Sequence, residues 1–117
     1  PPDEAVTFIS RAGLADDFRD VWPGISPFVI GSVLWSLYSF LRSPGDYWRS
    51  LCTAIAVGGD VDTTAAMTGA IAGARNGLAA IPAGLARRLN DQGTWDYDDL
   101  TDLANRVWLL KTGKETP

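Results

Sequence analysis

Residues 58–64 read Gly-Gly-Asp-Val-Asp-Thr-Thr and run straight into an alanine- and glycine-rich stretch that ends at Gly77. This heptad constrains the fold more than any other part of the chain. Paired glycines permit backbone conformations that other residues resist, so a tight turn can bring Asp60 and Asp62 towards one point. The stretch that follows carries helix formers and predicts a helix over 63–77, with Asp62 or Thr63 placed as its N-cap. Two readings stand side by side. In one, the heptad is a glycine turn and a capped helix. In the other, two carboxylates and the Thr63 hydroxyl form an oxygen-donor set suited to hard divalent cations such as Mg²⁺, Mn²⁺ or Ca²⁺.

The rest of the chain reads as helices. Val6 and Ile9 follow Asp3 and Glu4 at helical spacing, which predicts a helix over 2–12 closed by Gly13. Residues 15–25 read as a loop with a short turn. After Ser26-Pro27, the residues Val29, Val33, Leu37 and Leu41, joined by Ile30, Leu34 and Tyr38, make a wide apolar face and predict a buried helix. Asp46 is placed to cap a helix over 47–57, with Trp48, Leu51, Cys52 and Ile55 on its inner face. Ile81-Pro82 opens a short helix over 83–89, and Asn90-Asp91-Gln92-Gly93 reads as a turn. A last helix over 97–111 sets Leu100, Leu103, Ala104, Val107 and Leu110 on one face. Its acidic residues come early and Lys111 comes late, as the helix dipole favours. No stretch alternates as a half-buried strand does, so the predicted class is all-α.

Gly69, Gly73 and Gly77 recur at every fourth position of the 63–77 helix. Glycine inside a helix costs about 1 kcal/mol relative to alanine. The stripe therefore predicts either a second helix packed very close or a ligand approaching the backbone.

Composition removes several functions. The chain has 117 residues, no histidine and one cysteine. Imidazole zinc sites, His-dependent triads and internal disulfides are excluded. Cys52 is expected as a buried core thiol, and a reducing, cytoplasmic location follows as an expectation. The net charge of −4 and the lack of a basic cluster argue against non-specific nucleic-acid binding. The apolar run at 27–41 falls short of the roughly 20 residues that span a bilayer, so no membrane role is expected. A calcium loop of the EF-hand kind is disfavoured, because threonine and alanine follow where further carboxylates would stand.

With these residues in view, the sequence resembles the ADP-ribosylglycohydrolase family, which includes the dinitrogenase reductase-activating glycohydrolases and the J1 crystallins. The resemblance is carried by Gly58-Gly59-Asp60-Val61-Asp62-Thr63-Thr64-Ala65-Ala66, the glycine-stepped helix after it, and Gly77-Leu78 with Ile81-Pro82. Upstream, Gly24-Ile25-Ser26-Pro27-Phe28-Val29 and Asp46-Tyr47-Trp48 look like further parts of the family pattern, so the similarity spans about 24–108.

The resemblance implies an α-helical bundle holding two Mg²⁺ or Mn²⁺ ions, which cleaves the glycosidic bond between ADP-ribose and a protein side chain or small molecule. It implies Asp60 and Thr63 as ligands of one ion and Asp62 as a ligand bridging both, with a catalytic role. It places Gly24, Ser26 and Phe28 beside the bound nucleotide, although an aromatic ahead of an apolar helix is ordinarily a core residue.

The pattern also departs from the family. An early glycine-rich acidic segment and a Thr-Asp-Asp triplet that supply the other ligands are missing, and Asp16-Asp17 lacks the threonine. Position 31, often polar or acidic in relatives, is Gly31. The chain begins with proline, as a cut, processed or trimmed chain would. The expectation is therefore that residues 1–117 form the C-terminal part of one larger domain. A nicked or separately encoded N-terminal half would then be a partner chain. The alternative function is a catalytically inactive ADP-ribose-binding or crystallin-like structural protein.

Overall fold

The computed structural model describes residues 1–15 and 22–113. The expected turn within 15–25, and Asp16 and Asp17 with it, fall largely or wholly outside them. The described residues are helical, with two isolated bridge pairs and no strand, as the all-α reading requires. The chain divides into two compact units, Pro1–Ile81 and Pro82–Pro117.

The first unit contains α1 (Pro2–Ile9), α2 (Val29–Arg42), α3 (Tyr47–Ile55), α4 (Val61–Asn76) and a 3₁₀ turn at Leu78–Ala80. Helices α2, α3 and α4 pack against one another pairwise, and α1 lies on α2. Ile9, Ile25 and Trp35 form the core, flanked by Ala5, Val6, Tyr38 and Val57. Trp35 stacks on Tyr38 with ring centroids 5.1 Å apart. Its indole N–H donates to the Ala54 carbonyl at 2.9 Å, which ties α2 to the end of α3. Gly31 is buried, and a Cβ there would sit 3.6 Å from the Ile9 carbonyl. The small residue at position 31 therefore lies where α1 approaches α2.

The buried faces differ from those the apolar periodicity predicts. On α2 the buried residues are Gly31, Ser32, Trp35, Ser36 and Ser39. Val29, Ile30, Leu34, Leu37 and Leu41 are exposed instead. On α3, Ser50 and Ala54 are buried, whereas Trp48, Ile55 and Cys52 are exposed; the expected core thiol is a surface thiol. Small hydroxylated residues win this interface because they let helices approach closely while the hydroxyls, that of Ser39 excepted, bond backbone carbonyls. Ser50, for example, donates to the carbonyls of Ser43 and Asp46 at 2.9 and 3.0 Å.

On α4 the inward residues are Thr64, Thr68 and Ala72. The glycine stripe lies elsewhere on the helix. Gly69 admits the Tyr47 hydroxyl and Leu51 of α3, with a Cβ there 3.3 and 3.4 Å from them. Gly73 is in ordinary contact with the Tyr47 ring, 3.8 Å away. Gly77 is not an interior residue: its φ of 76° terminates α4. The stripe thus accommodates one tyrosine of α3 and a helix end.

Three helices begin behind an aspartate, and in two of them its side chain caps the helix. Asp46 accepts from the Arg49 N–H at 2.9 Å and starts α3. In the second unit, composed of α5 (Ala83–Ala86) and α6 (Tyr97–Thr112), Asp96 and Asp99 complete a capping box. Asn90 and Asp96 bridge across the expected turn, where Asp91 N–H donates to the Trp95 carbonyl at 2.8 Å. The third case is α4, which begins at Val61 with Asp60 at its N-cap position, rather than at Asp62 or Thr63. No residue of α5 or α6 is buried, so the shared face of Leu100, Leu103, Val107 and Leu110 is exposed. Among the described residues, no helix is long and apolar enough to cross a membrane.

Candidate functional site

The acidic turn is built by two chain segments crossing at close range. Ile25 and Gly59 form a parallel bridge. Ile25 N–H donates to the Gly58 carbonyl at 3.2 Å, and Asp60 N–H donates to the Ile25 carbonyl at 2.7 Å. Two glycines make the crossing possible. A Cβ on Gly24 would collide with the Gly58 and Val57 carbonyls, and one on Gly59 would collide with the backbone of Ile25. Both also have positive φ, 77° and 88°. Any larger residue would force the strands apart.

This crossing places the 24–28 segment against the base of the acidic turn and joins two candidate groups that sequence spacing leaves unconnected. Gly24 and Ser26 are half-buried. Ser26 Oγ accepts from the Phe28 N–H at 3.3 Å, and the Ser26 carbonyl accepts from Ser32 Oγ at 3.0 Å. Phe28, at the N-cap position of α2, is 37% exposed. It is not among the residues of the hydrophobic core of this unit.

Asp60 is half-buried, while Asp62 and Thr63 are exposed. Asp60 makes no capping side-chain bond to the helix it precedes. The neighbouring Asp60 side chain, then the backbone N–H groups of Thr63 and Asp62, hold the Asp62 carboxyl below the ordinary carboxylate range, and desolvation opposes them. Two neighbouring carboxylates repel unless a proton or a cation lies between them. The helix N-terminus beneath them adds favourable potential for negative charge.

In donor chemistry the group fits a hard divalent cation. Two carboxylates and a hydroxyl are all-oxygen and adjacent, but they fill only part of an octahedral shell. Among the described residues no cluster of three or more His, Cys, Asp or Glu gathers. Any remaining ligands must come from water, substrate or other polypeptide. A separate pocket of about 430 Å³, lined by Leu89, Asn90, Asp91, Trp95, Leu100 and Leu103, belongs to the second unit and includes none of the candidate residues.

Sequence reasoning missed Ile25 and Ser32, which hold the two segments in place. The Gly24 and Gly59 pair was the one available signal, because glycines in two distant segments mark positions where backbones can cross.

The family model for ADP-ribosylglycohydrolase matches residues 3–117. ADP-ribosylhydrolase ARH3 of Danio rerio is 41% identical over 66 residues, covering 56% of this chain and 16% of the relative. The chain thus matches only a small part of that relative's length. No solved structure matches the chain. With nearly the whole sequence inside the family model, and the acidic turn and its crossing glycines in place, this chain belongs to the ADP-ribosylglycohydrolase family.

Proposed function

We propose that this chain contributes one part of a cation-dependent hydrolase site that cleaves the glycosidic bond joining ADP-ribose to a protein side chain or small molecule. The observation that carries the reading is the placement of Asp60, Asp62 and Thr63 at the start of α4, on a turn locked by the Ile25–Gly59 bridge and the Asp60 N–H bond to the Ile25 carbonyl. Asp60 and Thr63 would hold one Mg²⁺ or Mn²⁺, and Asp62 would face a second. Shared carboxylates suit a cation pair because they offset its mutual repulsion.

When bound, the pair supplies positive charge that holds ribose hydroxyls and water at the anomeric carbon. The chain's own residues supply the frame. The backbone crossing fixes where the two carboxylates point. Gly24 leaves room at the turn, Ser26 sets the course of the segment, and the exposed Phe28 ring offers a face for a base or ribose.

The same reading requires completion by an N-terminal half of the domain, on the same or a separate chain. Support comes from α2. Val29, Ile30, Leu34, Leu37 and Leu41 are between 40% and 67% exposed. Leaving five such side chains about half exposed forgoes on the order of 5 kcal/mol of burial. A face of that size suits a permanent partner within the same domain, and the missing cation ligands would arrive with it.

The test is release of ADP-ribose from ADP-ribosylated protein, followed with Mn²⁺ uptake, in the natural protein and in Asp62→Ala. Loss of both in the variant supports the reading. Full activity in Asp62→Ala would remove the role given to this carboxylate. Binding of ADP-ribose without turnover in the natural protein would favour an inactive, crystallin-like relative.

A further inference from the structure

The structure assigns a positioning role to Ser36, a buried residue of α2 outside the acidic turn. The assignment rests on the cation reading above and names what holds that turn in register. Five hydrogen bonds form a closed circuit. Ser32 Oγ donates to the Ser26 carbonyl at 3.0 Å. Ser36 Oγ shares its single proton between the Ser32 carbonyl at 2.8 Å and the Thr64 carbonyl at 3.2 Å. Thr64 Oγ1 donates to the Asp60 carbonyl at 3.1 Å. Asp60 N–H donates to the Ile25 carbonyl at 2.7 Å, which returns the circuit to the 24–28 segment.

Ser32, Ser36 and Thr64 are all at most 2% exposed, so water does not compete for these bonds. Ser36 is the member that crosses from α2 to the first turn of α4. A serine hydroxyl bonded to the carbonyl four residues earlier is common in helices and says nothing about function. The second acceptor is different, because it lies on α4, on the residue whose N–H makes the first helical bond to the Asp60 carbonyl. Ser36 therefore positions the candidate ligands through Thr64, without touching a cation or substrate itself. Ser39 is the natural contrast: it is equally buried, one turn further along α2, and its hydroxyl has no partner.

The test compares Ser36→Ala, Ser36→Cys and Ser50→Ala in the complete natural protein. Ser50 is also buried and also bonded to two carbonyls, but at the start of α3. Two quantities are read: amide hydrogen exchange at Ile25 and Asp60, and the dissociation constant for Mn²⁺. Ser36→Ala is expected to speed exchange at both amides and to weaken Mn²⁺ about tenfold, the low end for loss of an outer-shell partner. Ser36→Cys, which keeps the volume and weakens the donor, falls in between. Ser50→Ala loses stability without moving either quantity. Unchanged exchange in Ser36→Ala, equal changes in Ser50→Ala, or faster exchange with unaltered Mn²⁺ affinity would each overturn the assignment. If the natural protein takes up no Mn²⁺, the cation reading fails, and exchange alone decides whether Ser36 holds the turn.

Discussion

Replacing Gly59 with alanine tests the crossing that builds the candidate site. Two costs add at this position. The φ of 88° is one that an L side chain rarely adopts, worth about 1–2 kcal/mol. The new Cβ would also meet the nitrogen, carbonyl carbon and oxygen of Ile25. Backbone cannot swing aside as a flexible side chain can, so the segments must separate. Separation breaks the Ile25–Gly58 and Asp60–Ile25 hydrogen bonds, each worth about 1 kcal/mol net. The sum is roughly 3–4 kcal/mol from these two principles. Gly58→Ala is the internal control. Its φ is 75°, but nothing lies within 4 Å of an added Cβ, so only the conformational cost of about 1–2 kcal/mol applies. Urea unfolding of both variants, followed by tryptophan fluorescence, should show Gly59→Ala losing about 2 kcal/mol more than Gly58→Ala. Equal losses would mean that the Ile25–Gly59 bridge does not hold the acidic turn, and the positioning argument would fall with it.

Ser39→Ala should be neutral or stabilising by up to about 1 kcal/mol, because it removes a buried hydroxyl that has no hydrogen-bond partner; a loss of stability in thermal unfolding would reveal a bond to that hydroxyl. Trp35→Phe leaves the Ala54 carbonyl without its indole donor and should cost about 1–3 kcal/mol in chemical denaturation. Asp96→Ala removes both capping bonds at the start of α6 and should cost about 1 kcal/mol, read as fraying at 97–100 in amide exchange. Gly69→Ala should change stability little. Alanine gains about 1 kcal/mol of helix propensity, which offsets a contact that the ends of Tyr47 and Leu51 can relieve.

The sequence made the helices and the cap at Asp46 legible, because each depends on neighbours in the chain. It misled about which faces are inside. Apolar periodicity counts large side chains, and on α2 it selects Val29, Leu37 and Leu41, all exposed. The interior of this unit is instead lined by Ser32, Ser36, Thr64 and Thr68, whose hydroxyls are satisfied by backbone carbonyls of a neighbouring helix or an earlier turn. Local pattern cannot reveal the cross-helix bonds, because the partners are distant in sequence, as with Ser36 and the Thr64 carbonyl or Thr68 and the Ser36 carbonyl. The expected burial of Cys52 failed for the same reason: its helix turns Ser50 and Ala54 inward. The Ile25–Gly59 bridge was equally hidden, since a single parallel pair leaves no alternation to read. Helix α4 starts at Val61 because the Asp60 carbonyl accepts the first helical N–H, that of Thr64, at 3.1 Å.

Anomalous diffraction from crystals of the complete protein, grown with Mn²⁺ and ADP-ribose, examines the cation cradle most directly. The account predicts Mn²⁺ peaks about 2.1 Å from oxygens of Asp60, Asp62 and Thr63, with the ribose hydroxyls turned towards them. Peaks bound elsewhere, with these three side chains contacting only solvent, would contradict it.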